Sequence, residues 1–109
     1  MSSGAIGDNN SKELNFDNKQ WQDAEFAQMI TELKVNTVVT QLSLKKCKLG
    51  PKHAKIIAEM VKVNASLKNI NLSYNKLCGL DEYYNGTYDA TGIIAIAEMM
   101  KVNASLKKI

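Results

Sequence analysis

Arginine is absent from this chain of 109 residues: all fourteen of its basic side chains are lysine. Bidentate guanidinium contacts to phosphate or carboxylate are therefore excluded, and so is an arginine finger. Histidine occurs once, at position 53, and proline once, at position 51. With so few titratable partners near neutrality, most charge-based catalysis starts at a disadvantage. Two cysteines are too few for a disulfide scaffold and fit a reducing compartment. No apolar run approaches the roughly 18–20 residues that cross a bilayer, so no membrane insertion is expected. Residues 1–10 carry neither a basic stretch nor an apolar core, which reads as a flexible leader without a secretory signal and predicts a cytoplasmic location.

What is present is ordinary in amount and unusual in arrangement. A hydrophobic share of 45% suits a single globular unit. Residues 1–33 hold Lys12 and Lys19 against six acidic groups, a net −4. Residues 34–80 hold nine lysines against Glu59 alone, a net +8, and residues 81–109 return to −1. Such segregation marks either a basic binding surface or a solvated one between acidic ends.

Internal repetition fixes the fold class. Lys-Val-Asn recurs at 34–36, 62–64 and 101–103, and the stretch from Ala58 to Lys68 returns almost unchanged from Ala97 to Lys107. Leu14, Leu42, Ile70 and Ile109 follow at the same intervals of 28, 28 and 39. Three units are expected, over about 11–38, 39–66 and 67–105, the last enlarged by 11 residues, with a partial fourth at 106–109. In each unit a period of two gives way to a helical period. Leu42 and Leu44, like Ile70 and Leu72, alternate with polar neighbours as a half-buried strand does. Phe26, Met29, Ile30 and Leu33, then Ala54, Ile57, Ala58 and Val61, then Ile93, Ile96, Ala97 and Met100, form apolar helical stripes. Pro51 suits the first turn of the second helix, and Asn36, Asn64 and Asn103 suit left-handed helix ends. Strand then helix, repeated, predicts an α/β fold of parallel strands with helices on one side.

Leu67, Ile70, Leu72, Asn75 and Leu77 fill the pattern LxxLxLxxNxL, and Val39, Leu42, Leu44, Cys47 and Leu49 fill it with cysteine for asparagine. The chain thus resembles leucine-rich repeats of the ribonuclease-inhibitor type, found also in Ran GTPase-activating proteins and NOD-like receptors. The stretch from Ala58 to Lys68 also looks like the repeat portion of the actin-capping tropomodulins. The resemblance implies a short horseshoe solenoid over residues 11–109, with the polar neighbours of the strand leucines on a concave, protein-binding face. Those neighbours are Glu13, Asn15 and Asp17, then Gln41, Ser43 and Lys45, then Asn69, Asn71 and Ser73. Unit one departs from the pattern, with Ser11, Leu14, Phe16, Lys19 and Trp21 in the five positions, and reads as a cap. Its counterpart at the other end stops inside a strand, which predicts a homo- or hetero-oligomeric contact through an uncapped C-terminal edge.

The chemistry left open by these patterns is recognition. The concave ladders hold no nucleophile–base pair and no water-excluding pocket, so no enzyme and no cofactor is expected. Asn75 and Cys47 read as inward residues satisfying buried loop backbone, and His53 as a surface residue. The insertion between Leu77 and Thr91 carries Tyr83, Tyr84 and Tyr88, residues suited to anchoring a partner, and at least one ring is expected to fold back over helix three. A calcium loop starting at Asp81 fails because Tyr83 and Gly92 occupy ligand positions. Lysines 45, 46, 48, 52 and 55 form a basic ridge, but without arginine or neighbouring aromatics they argue against nucleic acid; an acidic protein fits better, and a plain solubilising surface better still. Five Asn-x-Ser/Thr sequons, at Asn9, Asn64, Asn71, Asn85 and Asn103, read as coincidences of the repeat. The expected function is a non-enzymatic protein–protein interaction module, an adaptor or assembly subunit. Its alternative is a regulator of an enzyme or filament, GTPase-activating-like or actin-capping-like, using the same surface.

Overall fold

The computed structural model describes residues 11–80, 83, 85–103 and 106. The proposed leader at 1–10, Tyr84, and all of the partial fourth unit except Leu106 lie outside the described residues. Strands and helices alternate: β1 (Glu13–Asn15), α1 (Asp23–Val35), β2 (Gln41–Ser43), α2 (Pro51–Val63), β3 (Asn69–Asn71) and α3 (Thr91–Val102). The strands form one parallel sheet in the order β1-β2-β3. Leu14 stands opposite Leu42, and Leu42 opposite Ile70, so the 28-residue interval is the sheet register itself.

Each strand turns its central apolar residue to one side, where the helices close the core. Leu42, Leu44, Leu49, Leu67 and Ile70 pack with Phe26, Met29, Leu33, Ile57, Met60 and Val61, all buried. The first two helical stripes lie inside as their spacing predicts. The third does not. On α3 the buried positions are Gly92, Ile96 and Met99, while Ile93 is 42% and Met100 54% exposed. Their counterparts on α2, Ala54 and Val61, are buried because α3 lies over them. Nothing described lies over α3.

Local chemistry sets the helix ends. Acidic Asp23 and Glu25 open α1 and Lys34 closes it, each matched to the helix dipole. Glu25 also accepts the Gln22 backbone N–H at 3.3 Å. Pro51 occupies the first turn of α2. The three terminal asparagines are extended rather than left-handed, with φ of −76°, −85° and −87°. They end the helices by a different route. The Asn36 side-chain oxygen accepts the N–H groups of Val38 and Val39, both at 2.8 Å, and Asn64 accepts those of Ser66 and Leu67 at 2.9 and 2.8 Å. Asn103 accepts that of Leu106 at 2.6 Å. Their amide nitrogens tie the units together: Asn64 donates to Leu33 and Asn36 carbonyls, and Asn103 to the Val61 carbonyl.

Candidate protein-interaction surface

Because side chains alternate along a strand, the residues beside Leu14, Leu42 and Ile70 face away from the helices. They line a groove of about 590 Å³ formed by Glu13, Asn15, Gln41, Ser43, Asn69, Asn71 and Ser73 over the strand backbone. Most are short and uncharged, with carboxamides of Gln41 and Asn69 able to donate and accept at once. Two carboxamides are partly used: Asn15 accepts the Asp17 N–H and Asn71 the Ser73 N–H, each at 2.9 Å. Asp17 and Lys45, expected on the same face, are not among the groove residues. Asp17 bridges units instead, accepting from the Ser43 hydroxyl and from the Lys45 N–H at 3.0 Å. The Ser43 hydrogen bond, followed by the Lys45 backbone bond and charge, holds the Asp17 carboxyl below the usual carboxylate range despite its partial desolvation.

The loops between strand and helix form one edge of this face. There Asn75 accepts the N–H groups of Cys47 at 2.9 Å and Leu49 at 3.0 Å and donates to the Leu44 carbonyl at 2.8 Å. One unit earlier, the Cys47 thiol donates to the equivalent Phe16 carbonyl at 3.1 Å. Burial, the main influence on it, pushes the Cys47 thiol up and keeps it protonated. Both cysteines are free thiols. In unit one Lys19 holds the same position, paired with Glu25 at 3.3 Å and lying 4.9 Å from the Trp21 ring centre. Phe16, Trp21, Phe26 and His53 then follow in edge-to-face contact, with centroids 5.2, 5.8 and 4.9 Å apart.

His53 is thereby not the surface residue its isolation in sequence suggests. It is half-buried against Phe26, and its Nδ1 accepts the Gly50 N–H at 2.9 Å. Burial first, then Lys52, lowers its pKa. The basic ridge also has a neighbour the sequence reading missed. Tyr74, 28 residues beyond Lys46, is exposed with its ring centre 5.3 Å from the Lys46 Nζ. The repeat interval was the signal that could have found it.

The insertion leaves the strand-to-helix edge as a tight loop. Leu80 and Gly86 form an antiparallel bridge, and Asp89 donates its N–H to the Cys78 carbonyl at 2.7 Å. Gly79 and Gly86 take φ of +86° and +118°, and a Cβ on either would lie about 2 Å from a backbone oxygen of the opposite limb of the loop, that of Thr87 or Gly79. Asp89 accepts from both the Thr91 N–H and hydroxyl at the start of α3. Tyr83 and Tyr88 do not fold back over α3; they are 74% and 67% exposed. Neither joins the groove. At the far end, Leu72, Leu77, Ile93, Ile96, Ala97 and Met100 line a second, apolar groove of about 350 Å³. No described helix is long and apolar enough to cross a membrane.

No family model matches the chain, and no curated protein matches it in sequence. Several solved structures match it in fold. One, described as leiomodin-1 actin-binding site 2, superposes with a TM-score of 0.75 at 25% identity over 93% of this chain. The chain spans about half of that structure, 53% of its length. Another, the C-terminal domain of a Caenorhabditis elegans tropomodulin, gives a TM-score of 0.63 at 15% identity over 93% of this chain and 73% of its own. The chain thus shares with these proteins a leucine-rich-repeat-like α/β fold, which its described residues build from three parallel strands and three helices.

Proposed function

We propose that this chain is a non-enzymatic protein-binding module of the ribonuclease-inhibitor repeat type, a short piece of horseshoe that engages actin or a related filament through its sheet face. The observation that carries this reading is the likeness, at 25% identity over nearly the whole chain, to a structure described as an actin-binding site. The groove suits such a role: its polar side chains satisfy a partner's surface by hydrogen bonding and shape, with little charge to desolvate. Contacts are assigned to Glu13, Asn15, Gln41, Ser43, Asn69, Asn71 and Ser73, to Asp17 and Lys45 beside them, and to the loop residues Tyr83, Tyr84 and Tyr88. Co-sedimentation with filamentous actin, paired with a fluorescence assay of assembly, tests it. Micromolar protein should pellet with filaments or alter their growth, and Asn71→Lys with Gln41→Lys should abolish the effect without unfolding the chain. No effect of the wild-type protein on actin would dispose of the filament reading.

The apolar groove beside α3 favours a second reading, an assembly subunit whose partner covers Ile93 and Met100. Under that reading sedimentation velocity shows self-association or instability that Ile93→Lys removes. A monodisperse monomer would count against it.

A further inference from the structure

The backbone ladder of the sheet continues beyond the strands. Asn18 donates its N–H to the Lys45 carbonyl at 2.8 Å, and Lys46 to that of Ser73 at 3.1 Å. Residues 17–20, 45–48 and 73–76 therefore remain in register as adjacent rungs, roughly 5 Å apart. Asn18, Lys46 and Tyr74 hold the same left-handed conformation, with φ of 66°, 57° and 60°, and Lys48 holds it as well. Asparagine adopts that conformation readily, whereas lysine and tyrosine do so at a cost. All four of Lys46, Lys48, Tyr74 and Lys76 are exposed.

Lys19, Lys52 and Lys62 form ion pairs, but Lys46, Lys48 and Lys76 form none with any described residue. The one carboxylate on these rungs, Asp17, is already engaged by Ser43 and Lys45. Lys46 stands over the Tyr74 ring within cation–π range, which fixes an ammonium beside an aromatic face. Three of the nine lysines of residues 34–80, Lys46, Lys48 and Lys76, thus belong to one ledge on the strand-to-helix edge.

We propose that Lys46, Lys48, Tyr74 and Lys76 form a docking ledge for an acidic segment of a partner protein. The inference rests on the reading of the chain as a protein-binding module and names the partner chemistry of an edge distinct from the groove. Three compact ammonium groups attract carboxylates as point charges, and the Tyr74 ring offers apolar area with a hydroxyl at its tip. Nucleic acid fits less well, since the chain has no arginine and the ledge a single aromatic for stacking.

The test is titration of the full chain with a fluorescein-labelled peptide of alternating glutamate and serine, followed by anisotropy. Binding should weaken as salt rises, because the screening length falls from about 10 Å at 0.1 M to about 3 Å at 1 M. The triple variant Lys46→Gln, Lys48→Gln, Lys76→Gln should bind about tenfold more weakly. A charge-matched control, Lys34→Gln, Lys68→Gln, Lys101→Gln, should bind like wild type, and Tyr74→Ala should weaken binding where Tyr74→Phe does not. Absent binding by the wild type, or equal losses in both triple variants, overturns the proposal. So does a single-stranded oligonucleotide of equal charge that binds more tightly through the same lysines. No filament enters this titration, so its failure and that of the actin assay are separately visible.

Discussion

The two edges of the sheet are built by the same repeat, yet one is copied from unit to unit and the other is rewritten. At the helix-to-strand edge each turn reads Lys-Val-Asn, at 34–36, 62–64 and 101–103, and each asparagine side chain accepts backbone N–H groups of the turn that follows. At the strand-to-helix edge the equivalent positions hold Asn18, Lys46 and Tyr74, then Lys19, Cys47 and Asn75, and the third unit adds 11 residues. The difference follows from what each edge must satisfy. Turns whose backbone groups are buried between units need the same amide every time, since an unpaired buried group costs about 1–3 kcal/mol. The strand-to-helix loops meet that demand by varied means, Asn75 with its amide and Cys47 with its thiol. Their exposed positions 18, 46 and 74 are released from it and can carry recognition.

The largest break in this contrast is expected from the copied edge. Asn64 is buried and makes hydrogen bonds in both directions, to Leu33 and Asn36 before it and from Ser66 and Leu67 after it. Asn64→Ala should cost about 3 kcal/mol, leaving several buried groups unpaired, and lower the melting temperature by some 10–20 °C. Circular dichroism against temperature reads it out. Next in size is Gly92→Ala. A methyl at Gly92 would meet the Pro51 carbonyl oxygen at 2.6 Å and the Ala54 Cβ at 2.7 Å, so α2 and α3 must part. The expected loss is about 1–3 kcal/mol by denaturant titration, although alanine is the better helix former. A gain in stability would show that the two helices separate freely.

A smaller effect sharpens the contrast from the other edge. The pKa values of His53 and Asp17 are both lowered in the fold, His53 mainly by burial and Asp17 mainly by the Ser43 hydroxyl. A depressed pKa means the unfolded chain takes up protons first, so each contribution is present above the ordinary pKa and lost as pH falls through the folded one. His53 should give a modest loss beginning below about pH 6.5, and Asp17 a further loss below about pH 4. Unfolding midpoints between pH 7 and 5 check this, and His53→Gln should flatten that interval.

Much of this was legible before any geometry. The 28-residue interval fixes strand order, register and the two inner helical stripes, because a parallel ladder of identical units admits one alignment of Leu14, Leu42 and Ile70. The inward amide of Asn75 followed from the pattern alone. Other features did not. The exposed stripe of α3 depends on what lies beyond it, which periodicity does not encode. Asp17 and Lys45 sit at strand ends, where a side chain can either face the groove or tie two units, and the Ser43 hydroxyl decides for the tie. His53 is isolated in sequence but meets Phe26 and the Gly50 N–H only once α1 and α2 are packed.

The division of labour between the edges is tested most directly by hydrogen exchange of the full chain with and without filamentous actin. Protection should rise over the strands and the loop positions that follow them, 13–17, 41–48 and 69–76, while the turns at 36–39 and 64–67 keep the rates of the free protein. Protection gained at those turns, or nowhere, would contradict the assignment of recognition to the sheet face and its rewritten edge.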